Sequence, residues 1–169
     1  RIHASKRYRP LAEGSVPIKN GILMLIFLFV IGTLITILLP QSFAIFLGMY
    51  VAITVAYSFL FKKMVLLDCI ILSILYLMRL VIGASLTGDI LTFWLMNFSF
   101  FFFLSLAFLK RYIEIAAIPD TGLEISGRAY QKDDKNFIMG LGQSSGLVSM
   151  LVFSLYLYDK NIIQFQTDL

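Results

Sequence analysis

The chain has 169 residues, of which 59% are hydrophobic and only 14% charged, with a net charge of +4 and a mean hydropathy of +0.87. A soluble domain carries roughly a quarter charged residues and just under half apolar ones, so this composition excludes a soluble globular protein and describes one built into a membrane. The basic balance does not call for a nucleic-acid partner, because the Lys and Arg residues are explained by the loops in which they fall.

Residues 1–19, RIHASKRYRPLAEGSVPIK, are polar throughout and hold no apolar core of a secretory signal. They lack an initiator Met, carry Arg1, Lys6, Arg7 and Arg9 within nine residues, and read as the middle of a longer sequence. A bilayer core is crossed by about 20 apolar residues in a helix. Four stretches, 20–39, 42–60, 64–86 and 92–109, meet that length, and a fifth, 137–158, meets it with small and polar interruptions. None shows the alternation of a barrel strand, and backbone groups in lipid must be satisfied within their own segment, so the expected class is all-α, a polytopic helical bundle of about five helices.

Basic residues occupy alternate connections. Arg1 to Lys19 precede the first helix, Lys62 and Lys63 lie between the second and third, and Lys110, Arg111, Arg128, Lys132 and Lys135 lie between the fourth and fifth. The connections at Pro40 and Gly88 carry none, which places the basic loops in the cytoplasm of a cell (inner) membrane protein. Within the third helix Arg79 sits a dozen residues from the cytoplasmic end. A charge at that depth either faces a polar cavity or snorkels to the outer interface. Asp68 precedes it by eleven positions, about 20° past a whole number of turns, so both project from one helix face and would line a polar cavity together.

The cytoplasmic connections hold a second constellation. Tyr57 and Lys62 flank the end of helix two, Lys110, Arg111 and Glu114 the end of helix four, and SGRAYQKDDK brings Arg128, Tyr130, Asp133 and Asp134 ahead of helix five. Clustered Lys and Arg offer charge-assisted hydrogen bonds to phosphate oxygens. Asp133 and Asp134 suit the start of helix five, where acids cap and complement the dipole, with a Mg²⁺ that also takes substrate phosphates as the other reading. GLGQSSG at 140–146 follows no strand and lacks the dinucleotide spacing, so Gly142 and Gly146 serve close helix packing. His3 is the sole histidine, which leaves a histidine metal site or a Ser-His-Asp triad unsupported, and Cys69 is alone in an apolar run as an inert thiol. The run FSFFFFLSLAF faces lipid or packs between helices.

Taken in order, these segments resemble the UbiA superfamily of intramembrane prenyltransferases. RIHASKRYRPLAEGSVP resembles the stretch that follows the family's first Asp-rich motif, N-D-x-x-D-x-x-x-D, and by that match the residue before Arg1 would be the motif's last Asp. AYSFLFKK, LDCIILSILYLMRLVIGA, LAFLKRYIEI and GRAYQKDDKNFIMGLGQSSG are similar to the decaprenyl-phosphate phosphoribosyltransferase branch and its bacterial relatives. The aromatic-acceptor branch shows Tyr-Pro where this chain has Tyr57-Ser58, and the second motif D-x-x-x-D is replaced by adjacent Asp133 and Asp134.

The resemblance implies a fold of about nine helices around a cavity open to the cytoplasm and the lipid. Residues 1–169 would supply its third to seventh helices as a partial domain, lacking the first Asp-rich motif and the last helices and inactive alone. It further implies transfer of phosphoribose from phosphoribosyl diphosphate to a polyprenyl phosphate, with Mg²⁺ as cofactor and membrane lipids around the protein. Lys6, Arg7, Arg9, Lys62, Lys110, Arg111 and Arg128 would face phosphates, Tyr57 and Tyr130 would donate to phosphate or sugar oxygens, and Asp133 or Asp134 would assist the metal. The alternatives are a UbiA-type aromatic prenyltransferase, with a polyprenyl diphosphate donor and an acceptor such as 4-hydroxybenzoate, and a non-catalytic transport or assembly subunit.

Overall fold

The computed structural model describes residues 13–117 and 130–167, with side chains to Asp159. Five helices follow one another: α1 (Ile18–Ile37), α2 (Gln41–Phe59), α3 (Leu67–Thr87), α4 (Phe93–Ala116) and α5 (Lys135–Thr167). Short 3-10 helices, Phe61–Lys63 and Lys132–Asp134, precede α3 and α5, and no strand occurs among the described residues. All five helices are long and apolar enough to cross a membrane, and the chain is a multi-pass membrane protein.

The helix starts follow from residues that cannot continue what came before. Pro17 stands at the N-cap of α1 and Pro40 immediately precedes α2, positions where a missing N–H costs nothing. Thr92 caps α4 with its side-chain oxygen accepting the Leu95 N–H at 3.3 Å. α3 stops where Gly88 takes φ +75, a left-handed turn that suits glycine, and returns its N–H to the Ala84 carbonyl at 3.0 Å.

The chain divides into two compact units, residues 1–45 and 46–169. α1 belongs to the first, and none of its residues is buried. In the second, α4 packs along most of α5 and, over a shorter length, against α3. The α4/α5 seam is close because its α5 side is built from small residues. A Cβ on Gly142 would lie 3.2 Å from Phe108 Cβ, and one on Gly146 3.2 Å from Ser105 Oγ. At one end of this antiparallel pair Trp94 Nε1 donates to Asp159 at 3.2 Å. The buried core gathers toward the other end, around Cys69, Ala107, Phe108, Ile115, Tyr130 and Ile138.

Candidate functional site

The entry into α3 is unusual for a helix start. Its N-cap is Leu66, whose side chain cannot accept a hydrogen bond, and whose backbone takes φ +67 and ψ −46. The Leu67 N–H returns to the Val65 carbonyl at 2.8 Å, which makes Val65 to Leu67 a γ-turn of the rarer positive-φ kind. A bulky residue held there stores on the order of 1–3 kcal/mol of strain and needs surroundings that over-determine it.

Those surroundings are a buried polar cluster. The Leu66 N–H donates to Tyr130 Oη at 2.9 Å, and Tyr130 Oη donates to Asp68 Oδ1. Asp68 Oδ2 accepts from Arg111 Nη2 on α4, and Arg111 Nη1 donates to Glu114 one turn further on. The Arg111 guanidinium also lies over the Tyr130 ring, 5.1 Å from its centroid, and Cys69 Sγ is 3.8 Å from the Tyr130 hydroxyl. Tyr57, half-buried at the end of α2, feels the charges of both Asp68 and Arg111. Asp68 and Arg111 are 0% exposed and Tyr130 1%, whereas the Glu114 side chain is 34% exposed. Arg111 Nε is buried without a hydrogen-bond partner among the described residues.

Charges this deep are tolerable only because each meets a hydrogen-bonded counterpart. Removing one member of such a pair costs about 3–5 kcal/mol, since the other is left charged and out of water. Burial first, and then the bond to Asp68, push the Tyr130 phenol above its ordinary range, so its proton stays on oxygen at any physiological pH.

The residues anticipated from sequence fall into distinct settings. Tyr57, Asp68, Arg111 and Tyr130 converge, although they come from four separate segments of chain. Lys62, Lys110 and Asp133 are exposed at the same end of the unit, on the turn before α3, the last turns of α4 and the turn before α5. Lys6, Arg7, Arg9 and Arg128 lie outside the described residues.

Asp68 and Arg79 do not act as the pair their helical spacing suggested. Asp68 is bound to Arg111 and Tyr130, while Arg79 is exposed and gives Nε and Nη2 to Tyr50 Oη at 3.2 and 2.9 Å. Its guanidinium carbon is 4.8 Å from the centroid of Tyr76, one turn earlier on its own helix. The 20° offset describes one helix, whereas the partner of each charge is set by the helix packed beside it. Tyr76 was legible as the i−3 neighbour of Arg79. Neither Tyr50 nor the backbone role of Leu66 left a signal in the sequence.

The acidic pair divides in the same way. Asp134 Oδ2 accepts the Gln131 N–H at 2.8 Å, and the Gln131 side chain answers the Asp134 backbone in a reciprocal cap. Asp133 stands exposed beside it. No group of three or more His, Cys, Asp or Glu side chains able to enclose a metal ion occurs among the described residues. Mg²⁺ bound through one or two carboxylates and the phosphates of a substrate needs no such enclosure, and the donors present fit it in that sparse manner only. Beside the cluster, a groove of about 250 Å³ runs between α4 and α5 over Phe108, Leu109, Ile138 and Gly142, with Tyr112 and Gln143 as its polar margin.

Transmembrane helices with ionic side chains interlocked at one end define a membrane protein with a buried polar cluster among its described residues. Residues 1–121 match the UbiA prenyltransferase family, and the chain belongs to that family. Its relatives include the protein y4nM of Sinorhizobium fredii, 36% identical over 93% of this chain and 31% of that protein. The decaprenyl-phosphate phosphoribosyltransferase of Mycolicibacterium smegmatis is 31% identical over 88% of this chain and 47% of the enzyme. The nodulation protein NoeC of Azorhizobium caulinodans is 27% identical over 97% of this chain and 54% of its own length. The chain thus spans from about a third to about half of the relatives it matches, and within the superfamily it stands near the phosphoribosyltransferase branch.

Proposed function

We propose that the chain serves a membrane-embedded transferase that moves phosphoribose from phosphoribosyl diphosphate to a polyprenyl phosphate. The observation that carries this reading is the similarity, along 88% of the chain, to a decaprenyl-phosphate phosphoribosyltransferase. The placement of exposed Lys62, Lys110 and Asp133 at the same end as the buried ionic cluster supports it.

In such a transfer the bond between the ribose anomeric carbon and the diphosphate oxygen breaks, and an oxygen of the lipid phosphate bonds to that carbon. The lipid phosphate is already ionised and needs no general base. The leaving diphosphate needs its growing charge met, in a place where water does not dilute the response. Lys62 and Lys110 are the described cations for that task, with Lys6, Arg7, Arg9 and Arg128 as further candidates. Asp133 would hold Mg²⁺ together with the substrate phosphates, and the ion's chemistry there is neutralisation of the leaving group. Arg111 and Tyr130, shut away from any ligand, hold the frame instead of the substrate. The prenyl tail lies along the apolar helices, and the basic loops face the cytoplasm of the inner membrane.

Membranes bearing the protein, given ribose-labelled phosphoribosyl diphosphate and polyprenyl phosphate, transfer label to extractable lipid. Lys62→Ala lowers that rate by about tenfold or more, the worth of one charge-assisted hydrogen bond. Prenylation of 4-hydroxybenzoate with no ribose label in lipid would overturn the reading in favour of an aromatic acceptor. Unaltered turnover in a Lys62→Ala, Arg128→Ala double variant would remove both residues from the site.

A further inference from the structure

Lys62 and Lys63 are exposed, and no hydrogen bond or ion pair among the described residues orients their ammonium groups. The backbone that carries them therefore fixes where their stems start and what region the ammonium groups reach. That backbone runs from the 3-10 turn through an extended Met64, φ −93 and ψ 124, into the γ-turn at Leu66. A γ-turn of this hand relaxes readily to negative φ unless something outside it holds the reversed peptide. Here the Leu66 N–H is held by a side chain 64 positions later in the chain, the Tyr130 hydroxyl. That hydroxyl is aligned by giving its proton to Asp68, which Arg111 fixes in turn.

We infer that Tyr130 is a positioning residue. Its hydroxyl, bridging the Leu66 N–H and the Asp68 carboxylate, locks the reversed turn and so sets the place from which Lys62 and Lys63 reach an anionic phosphate. This rests on the reading of the lysines as phosphate ligands. Tyr130 touches no substrate, because it is only 1% exposed beneath the turn it holds. Tyr130→Phe keeps the ring, its burial and its stacking on Arg111, and deletes only the bridge. The half-buried Leu66 N–H and, in the buried cluster, one Asp68 oxygen and Cys69 Sγ then lose a partner. Rotation of the Leu66 peptide to negative φ is the relief open to the chain, and it swings residues 61–65.

The test is a double-mutant cycle on the protein in its native membranes, reading inhibition of the transfer by inorganic diphosphate. Tyr130→Phe is expected to weaken diphosphate about tenfold and to lower the transfer rate by no more than Lys62→Ala does. If the hydroxyl acts through the two lysines, adding Tyr130→Phe to a Lys62→Ala, Lys63→Ala background changes diphosphate inhibition by less than about twofold. Losses that multiply would overturn the inference, because a general loosening of the fold adds to the lysines' removal.

A second measurement needs no ligand. Trypsin cleavage after Lys62 or Lys63 is expected to quicken at least fivefold in Tyr130→Phe, with cleavage after Lys110 unchanged. An unaltered rate at the turn would sink the positioning role. Wild-type protein that neither transfers phosphoribose nor responds to diphosphate would refute the functional reading, and the protease rates would then decide the lock by themselves.

Discussion

Asp68→Ala removes the carboxylate that two segments share, and the structure gives the size of the consequence. Arg111 keeps Glu114, but that carboxylate is one-third exposed and reaches only one of its terminal nitrogens. The guanidinium itself is 0% exposed. A buried cation stripped of its main counter-ion costs about 3–5 kcal/mol, and the orphaned Tyr130 hydroxyl adds on the order of 1 kcal/mol, partly overlapping. For a chain of this length each kcal/mol moves the melting midpoint by about 2–4 °C, so a fall of about 10 °C is expected for the detergent-solubilised protein, read by size-exclusion chromatography after heating. The same reasoning demands that Asp68→Leu, Arg111→Met, with both charges replaced by apolar groups, recover to within about 2 kcal/mol of wild type. If the single variant melts within 2 °C of wild type, or the double variant is the least stable of the three, the cluster is not the ionic anchor described.

Three other outcomes follow from particular contacts. Because the folded state holds the Tyr130 proton more tightly than the unfolded chain, its contribution is complete below the ordinary phenol value of about 10 and is lost as pH rises through the folded value. The stability difference between wild type and Tyr130→Phe should stay constant from about pH 6 to 9 and narrow only above about pH 10; a difference that shrinks near neutrality would contradict it. Gly142→Leu, driven into Phe108 across the α4/α5 seam, is expected to cost about 1–3 kcal/mol in denaturation midpoints. Gly140→Ala, with open space around its new methyl, should gain up to about 1 kcal/mol from helix propensity in the same assay.

The five spans were readable because lipid imposes one strong rule, an uninterrupted apolar run of fixed length, and each expected run overlaps an observed helix. Their ends were less readable. The run 92–109 stops before Lys110 and Arg111, yet α4 continues to Ala116, because Asp68 neutralises Arg111 and lets the helix carry it inside. Asp68, Arg111, Tyr57 and Tyr130 each drew notice as polar residues beside apolar stretches. Their union did not, since helical spacing relates residues on one helix and says nothing of which neighbour a face will meet. The glycine spacing at 142 and 146 did foretell a tight seam, because small residues act through absence and need no named partner. Leu66 is the opposite case: a positive φ on a leucine comes from the contacts around it and has no counterpart in residue type.

The beginning of α3 has a bearing on what kind of grip this face can exert. Helix starts elsewhere cradle phosphate with idle amides. Here Leu66 gives its amide to Tyr130, Leu67 to Val65, Asp68 to Met64, and Cys69 and Ile70 both to the Leu66 carbonyl. Nothing is left over for a visiting oxyanion, so on the proposed reading an oxyanion at this helix start would meet ammonium charge and not backbone amides. Attraction of that sort fades over about 8 Å at physiological ionic strength, and added electrolyte should loosen it smoothly where a nest of amides would scarcely respond.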